Sequence, residues 1–415
     1  NITRHYLLVM ENKLIVLLVI VLGAIAIAQL VRVYEISSKL RKHQEHEISS
    51  RDNNLNGRLM FGFMILLFGF FIYLMSEYGW TGRGVAASDE GLEMDWLLNL
   101  NFVIIIAIFF FTNFLLFYFT WRYVKKPGVP AFYYPHNNKL EAIWTVVPAI
   151  VLAVIIILGL QTWGHLSGPS KPEAVKIELF SKQFDWTARY SGADNTLGKF
   201  DYKLTTDNNE LAILTSATLD SAIYQMEFGA MGINALESKL NDSKLMMIPE
   251  DREKMMADLG RKEMLVRLLY QMKGRHDSKL DAQAWDDIIQ KDTLYLCKDQ
   301  AYEFSFRSKD VIHSAYFPHF RQQMNTVPGL STRLKFTPIH TTKEMRKIKN
   351  LATFNYVLMC NKICGGAHYG MKMIVVVMDK NEYQKWMKNK MKQTFRNSFI
   401  PATAAAPIET PAKES

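Results

Sequence analysis

Cysteine is scarce in this chain: three in 415 residues, too few for a disulfide-dense scaffold. No Cys-x-x-Cys-His run occurs, which excludes covalently attached c-type haem. Internal repeats are absent as well, so a solenoid or propeller is not expected. Charged residues make up 21% of the chain against 49% hydrophobic and 12% aromatic, and that balance excludes disorder for most of its length. The formal net charge of +9 is not by itself a nucleic-acid footprint, because membrane proteins keep Lys and Arg in loops. No nucleic-acid partner is expected.

What the sequence does have is distributed unevenly. Apolar residues concentrate before residue 165, and charge dominates after it. Four stretches, at about 14–34, 59–76, 99–120 and 142–163, are long enough to cross a hydrocarbon core of ~30 Å. The first carries small residues at Ala24, Ala26 and Ala28 that fit a signal peptide weakly. It leads into a basic loop, which favours a retained helix. Lys39, Arg41, Lys42, Arg51 and Arg58 fill the 35–58 loop, and Arg122, Lys125, Lys126 and Lys139 the 121–140 loop. Between them, Glu77, Asp89, Glu90, Glu93 and Asp95 face only Arg83. The two basic loops are therefore expected on the cytoplasmic side, and the C-terminal region in the periplasm or its equivalent, an oxidising compartment. Pro148 inside the fourth span reads as an ordinary kink. Glu141, where that span leaves the cytoplasmic face, reads equally well as a helix-dipole partner or a point of proton uptake.

After Gly164 the texture becomes short and alternating. Val175–Phe180, Tyr302–Phe306, Leu334–Thr337 and Met373–Met378 have the period and the turn signals of strands in an antiparallel β-sandwich. The block 208–290 is helical in composition. A helix is expected to begin at Pro249 with Glu250 and Asp251 in its first turn. Met255, Leu259, Leu265, Leu268, Leu269 and Met272 recur on it at packing spacing. The Pro-, Ala- and Thr-rich tail from Phe399 to Ser415 is expected to be disordered. The expected organisation is a first helix pair (1–94), a helical hairpin (95–165), a β-domain (166–207 with 291–390), a helical insertion (208–290) and a tail (391–415).

Chemistry concentrates in Cys360-Asn-Lys-Ile-Cys364-Gly-Gly-Ala-His368-Tyr-Gly-Met371, which holds two thiolates, an imidazole and a thioether. That soft set suits copper, and structural zinc seldom uses Met. Asp310-Val-Ile-His313-Ser314 follows a strand and would bring a second imidazole to the same end. A mononuclear blue-copper site needs one Cys, two His and a Met, so this set has one Cys too many. Two thiolates, two imidazoles, a Met and a main-chain carbonyl would serve two copper ions bridged by both sulfurs, with one electron spread over the pair. The competing reading is a Cys360–Cys364 disulfide, which leaves His313, His368 and Met371 unexplained. Cys297 reads as a buried, inert thiol, and His319 and His340 as satisfied or solvent-facing.

These residues resemble subunit II of the haem–copper cytochrome c oxidases. The C-x3-C-x3-H-x2-M loop with its upstream His is similar to that family's binuclear copper A site. Lys182-Gln183-Phe184-Asp185-Trp186 resembles its aromatic run after the first strand, and Asn325-Thr-Val-Pro328-Gly329 its Asp-Ala-Ile-Pro-Gly turn. Glu141-Ala-Ile-Trp144-Thr-Val-Val-Pro148 resembles the start of its second membrane helix. The resemblance covers roughly 95–205 and 295–390. It implies transmembrane helices followed by a cupredoxin-like β-sandwich. The implied copper ligands are His313, Cys360, Cys364, His368, Met371 and the main-chain oxygen of Lys362. It also implies Glu141 at a proton-channel entrance, and electrons received from a cytochrome c and passed to haem in subunit I. The implied location is a bacterial plasma membrane, with the copper domain in the periplasm. Three departures stand out. Lys362 replaces the family's magnesium-binding Glu, so no magnesium is assigned. Phe184 replaces the usual electron-accepting Trp, leaving Phe184 or Trp186 for that role. The extra helix pair and the insertion resemble bacterial variants and suggest further partners, such as a quinol-oxidising complex or a bound cytochrome. The competing functions are a membrane-tethered copper chaperone and a copper-lacking structural subunit of a quinol oxidase.

Overall fold

The computed structural model describes residues 2–40, 49–79 and 83–399. Four long helices come first: α1 (Ile2–Leu40), α2 (Ser50–Glu77), α3 (Asp89–Arg122) and α4 (Asn138–Ser167). All four are long and apolar enough to cross a membrane, and the chain is a membrane protein. They fall on the four expected spans and run past them at both ends. Apolarity marks only the part in hydrocarbon, whereas the helix continues through the interface. Pro148 lies inside α4, whose helical run is unbroken.

The chain forms two units, 1–82 with 103–143 and 83–102 with 144–415. In the first, α2 packs on the later part of α3 through an aromatic ladder. Phe68 and Phe71 meet Phe109 and Phe110 at ring separations of 4.6–6.1 Å, and Phe61 meets Trp121 at 4.8 Å. Gly57 lets the backbones approach, since a Cβ there would lie 2.8 Å from Val124. Close packing of this kind holds helices together where the hydrophobic effect offers nothing.

The second unit contains two five-stranded sheets. The chain order is β1 (Val175–Lys182), β2 (Asp185–Tyr190), α5 (Ser216–Phe228), α6 (Ile233–Asn241), α7 (Pro249–Arg275), α8 (Asp281–Trp285), β3 (Ile288–Lys291), β4 (Thr293–Cys297), β5 (Tyr302–Ser308), β6 (His313–Phe317), β7 (Gln322–Thr326), β8 (Thr332–Phe336), α9 (Thr342–Ile348), β9 (Tyr356–Cys360), β10 (Lys372–Met378), α10 (Lys380–Lys390) and α11 (Phe395–Ser398). One sheet runs β3-β2-β1-β5-β8 and the other β4-β10-β9-β6-β7. Their inner faces share one core, with Ile177, Leu179, Trp186, Phe304 and Phe306 from the first and Phe317, Tyr356, Leu358 and Val375 from the second. The sandwich is mixed rather than wholly antiparallel, because β1–β5 and β4–β10 run parallel. Parallel neighbours need a long crossover, and between β1 and β5 the insertion is part of it.

The insertion also covers the second face of β1, which period-two alternation by itself implies is exposed. Glu178 and Phe180, on the strand's second face, are as buried as Ile177 and Leu179. Phe180 joins Leu211, Ile213, Ala284 and Phe395 in a satellite core. Beside it lies a buried charge cluster. Glu178 pairs with Arg189 Nε at 2.6 Å and with Arg307, while Arg189 also reaches Asp287 at 3.5 Å and the Gly198 carbonyl at 3.0 Å. Arg307 donates to the Leu211 carbonyl and lies 3.6 Å over the Phe200 ring. Burial opposes the Glu178 charge, but the two guanidinium groups hold its carboxyl below the usual range. Burial pushes Asp287 up to about 7 despite Arg189.

Within the insertion, α7 begins at Pro249 as expected, with Glu250 and Asp251 in its first turn. Leu269 and Met272 join a small core with Leu204, Leu219 and Ile223. Leu268 is exposed, and Val266, one turn before Leu269 on the same face, is buried instead. The helical block ends before β3, so a strand occupies 288–291. At the C-terminus, α11 orders residues expected in the tail, because Phe395 stacks on Trp285 at 5.5 Å. Residues 400–415 lie outside the described residues.

The start of α3 is stitched to the sandwich. Ala87 donates to the His319 carbonyl at 2.8 Å and accepts from Ile339 N–H at 2.9 Å. Glu90 accepts from Thr337 N–H at 2.9 Å, and Arg321 binds Asp95 at 3.0 Å.

Candidate metal centre

Three strand ends build the site. His313 opens β6, Cys360 closes β9, and the 361–371 loop returns to β10. The β6–β9 register sets Ala315 opposite Cys360. Cys360 N–H donates to the Met371 carbonyl at 3.1 Å, closing the loop at its base. A turn from His368 N–H to the Gly365 carbonyl, 3.2 Å, curls it inward.

The expected donors converge. Cys360 and Cys364 Sγ are 3.8 Å apart, and with a ring nitrogen of His313 they lie within 4.8 Å of one another. Cys364 Sγ is 3.5 Å from His368 Nδ1 and 3.8 Å from Met371 Sδ. The Lys362 carbonyl lies 3.1 Å from Cys360 Sγ, while the Lys362 side chain is exposed. His313, Cys360, Cys364 and Met371 are buried, and His368 is half-buried. Both cysteines are free thiols, at nearly twice the S–S bond length of ~2.05 Å, so the disulfide reading fails. Burial, then the Cys360 contact, pushes the Cys364 thiol up to about 11.

One detail tests the fit of a metal. His313 binds Asp310 Oδ1 through Nε2 at 2.8 Å, and its Nδ1 is buried without a hydrogen-bond partner. A buried orphan nitrogen is costly. Here it sits on a ring that a carboxylate orients, the usual support of a metal-ligating histidine. Asp310 also accepts from the N–H groups of Gln183 and Val311, both at 2.7 Å. Burial works against its charge, and these bonds together with His313 hold its carboxyl below the usual range. The residues present fit a soft-metal centre.

The aromatic candidates separate. Trp186 is fully buried, its ring 6.3 Å from that of His313, so it cannot be a surface contact. Phe184 is half-buried and packs on Gly365, where a Cβ would come 2.9 Å from its ring. Glu141 belongs to the other unit. Its carboxylate accepts from Asn137 N–H at 3.3 Å, and Asn137 in turn accepts from Leu140 N–H at 3.1 Å, which is a helix-capping arrangement.

Cys297 is buried, and burial raises its thiol pKa. His319 is half-buried, with one ring nitrogen left unsatisfied. Its Nδ1 is buried without a partner, its ring meets Phe354 at 5.0 Å, and burial pushes it down to about 4. His340 is part-exposed and 4.0 Å from Glu344. Sequence reasoning missed the roles of Asp310 and Gln183, although both stand in the runs it singled out.

Residues 79–162 match the sequence model of the cytochrome c oxidase subunit II transmembrane domain. The alternative cytochrome c oxidase subunit 2 of Bradyrhizobium diazoefficiens is 26% identical over 337 residues, 80% of this chain and 91% of that one. The cytochrome c oxidase subunit 2 of Cereibacter sphaeroides is 23% identical over 333 residues, 79% and 86% of the two chains. The chain is thus similar to cytochrome c oxidase subunit II over most of its own length and of its relatives'. That likeness makes it part of an oxidoreductase complex. The solved periplasmic domain of cytochrome oxidase subunit II from Bradyrhizobium japonicum aligns with 55% of this chain and 99% of its own. The identity is 12% and the TM-score 0.27, too low to add to the assignment.

Proposed function

We propose that this subunit holds two copper ions on His313, Cys360, Cys364, His368, Met371 and the main-chain oxygen of Lys362, and serves as the electron-accepting subunit of a proton-pumping haem–copper oxidase. When bound, copper supplies one-electron redox chemistry between a cytochrome c-type donor and haem in the partner subunit I, where oxygen is reduced. The observation that carries the reading is the second cysteine. Five side-chain donors and a carbonyl gather where a mononuclear site would use four, and the two Sγ atoms stand 3.8 Å apart. The chain's own residues do the holding. Asp310 fixes the His313 ring, the β-core keeps water from Cys360 and Met371, and Phe184 presents the half-buried aromatic surface nearest the ligand loop. By the loop charges, the sandwich faces the periplasm of a bacterial plasma membrane. Glu141 is the candidate for proton uptake into subunit I, on the same carboxylate that caps α4. No magnesium is assigned at Lys362.

The intact donor set speaks against a copper-lacking quinol-oxidase subunit. Its burial speaks against a chaperone, which must release its metal. The test is to load the purified full chain with copper and measure copper per chain alongside the electron paramagnetic resonance spectrum. Two coppers sharing one unpaired electron are expected. One copper with a localised signal, or none, would overturn the reading.

A further inference from the structure

Gln183 stands at the end of β1, at the surface, with no donor atom of its own in the ligand set. Its two amides nonetheless reach both arms of the site. The main-chain N–H donates to Asp310 Oδ2 at 2.7 Å, and Asp310 Oδ1 holds His313 at 2.8 Å. The side-chain Nε2 donates to the Cys364 carbonyl at 2.5 Å. The base of the first arm is pinned to the same strand end by the Lys309 N–H bond to the Ser181 carbonyl, 2.9 Å. Cys364 is the hub of the second arm, since its Sγ is within 3.8 Å of Cys360, His368 and Met371 alike. The fit around the amide is tight: Gly365 has φ +141°, and a Cβ there would fall 2.8 Å from Gln183 Nε2 and 2.9 Å from the Phe184 ring.

We propose that Gln183 is a positioning residue that clamps the His313 arm and the Cys364 loop at one separation, so that the donors are in register before a metal arrives. The proposal rests on the copper reading for its consequence, though the clamp itself needs no metal. The amide must donate, because its partner is a carbonyl oxygen. Leucine would leave that oxygen without the bond, and glutamate, the same size, would set a second acceptor against it. Neither change hollows the core, since the side chain lies at the surface. The glycine is part of the device, because any side chain at 365 displaces the amide.

The test uses the full chain with Gln183→Leu, Gln183→Glu and Gly365→Ala, each checked for folding by circular dichroism. Copper affinity, read by chelator competition, is expected to fall roughly 10–100-fold in all three, the usual loss when an outer partner of a metal ligand goes. The copper-thiolate absorption should shift in the same variants. In the metal-free chain, alkylation of the Cys360 and Cys364 thiols by iodoacetamide is expected to accelerate about tenfold, equivalent to about 1.4 kcal/mol. Unchanged affinity together with unchanged alkylation overturns the clamp. So does a Gln183→Glu chain that behaves like the parent while Gln183→Leu does not, because donation is then irrelevant. If the parent chain takes up no copper, the copper reading falls, and alkylation alone decides: faster sustains the clamp, unchanged refutes it.

Discussion

Replacing Glu178 by leucine should be among the most damaging single changes in the β-domain, although Glu178 touches no metal donor. Its carboxylate is 1% exposed and faces two guanidinium groups, Arg189 at 2.6 Å and Arg307. Arg189 is 2% exposed and Arg307 8%, so neither can turn to water once the carboxylate is gone. Of the two guanidinium groups Asp287 reaches only Arg189, at 3.5 Å, and its Oδ2 also accepts from the Gly198 N–H at 3.1 Å. Removing one member of a buried ion cluster costs about 3–5 kcal/mol, because charge is left uncompensated in a poorly polarisable interior. At about 2–4 °C per kcal/mol for a domain of this size, the midpoint should fall by roughly 6–20 °C. Calorimetry of the full metal-free chain in detergent reads this directly. The same reasoning demands a contrast. Glu178→Leu combined with Arg189→Met, Arg307→Met and Asp287→Asn, which removes every charge of the cluster, should recover most of the loss, since well-packed uncharged substitutes for buried ions are often neutral or better. A fall below about 3 °C for Glu178→Leu, or a quadruple variant no better than the single one, would refute the argument.

Asp287 gives the same cluster a pH signature. Its folded pKa, about 7, lies above the ordinary 3.8, so its stabilising contribution is complete below the latter and is lost as pH rises towards and through about 7. The unfolding free energy from urea titrations of the full chain should fall from pH 5 to pH 8, by up to about 2.6 kcal/mol from this group. Asp287→Asn should flatten the slope, and an unaltered slope would remove Asp287 as its source. Phe395→Ala should cost about 3 kcal/mol by emptying the satellite core against Trp285, visible as a change in tryptophan emission and a lower midpoint. Unchanged emission would show that α11 does not seal that face.

The donor set was legible because it is local. Cys360, Cys364, His368 and Met371 share one loop, and their chemistry is in their side-chain types. His313 needed only the premise that strand ends meet at one edge of a sandwich. What holds these donors was not legible, because it comes from far away in the chain. Gln183 meets Cys364 across 181 positions and Asp310 across 127, and neither contact leaves a trace in periodicity. The membrane helices announced themselves by apolarity, which is a property of single segments. Alternation in β1 gave a strand but not its neighbours, so the parallel pairing with β5 was invisible. It also implied a wet second face, because nothing in the strand says that the insertion will lie over it. Phe395 was read with the tail for the same reason: its order depends on Trp285. Trp186 was a candidate for the surface until the fold placed it behind His313.

The bonds from Ala87, Glu90 and Asp95 to the sandwich decide how the metal site is carried. A domain hung from a single helix by a flexible linker would swing, and its redox partner would meet it only for part of the time. Here two chain segments grip the sandwich, the end of α4 by covalent continuity and the approach to α3 by hydrogen bonds and an ion pair. The sandwich is therefore tied to the first turns of α3 at several points rather than hung from one linker. On the proposed electron-accepting role, such a tie would hold the distance to a redox partner, and with it a distance-sensitive tunnelling rate, the same from one turnover to the next.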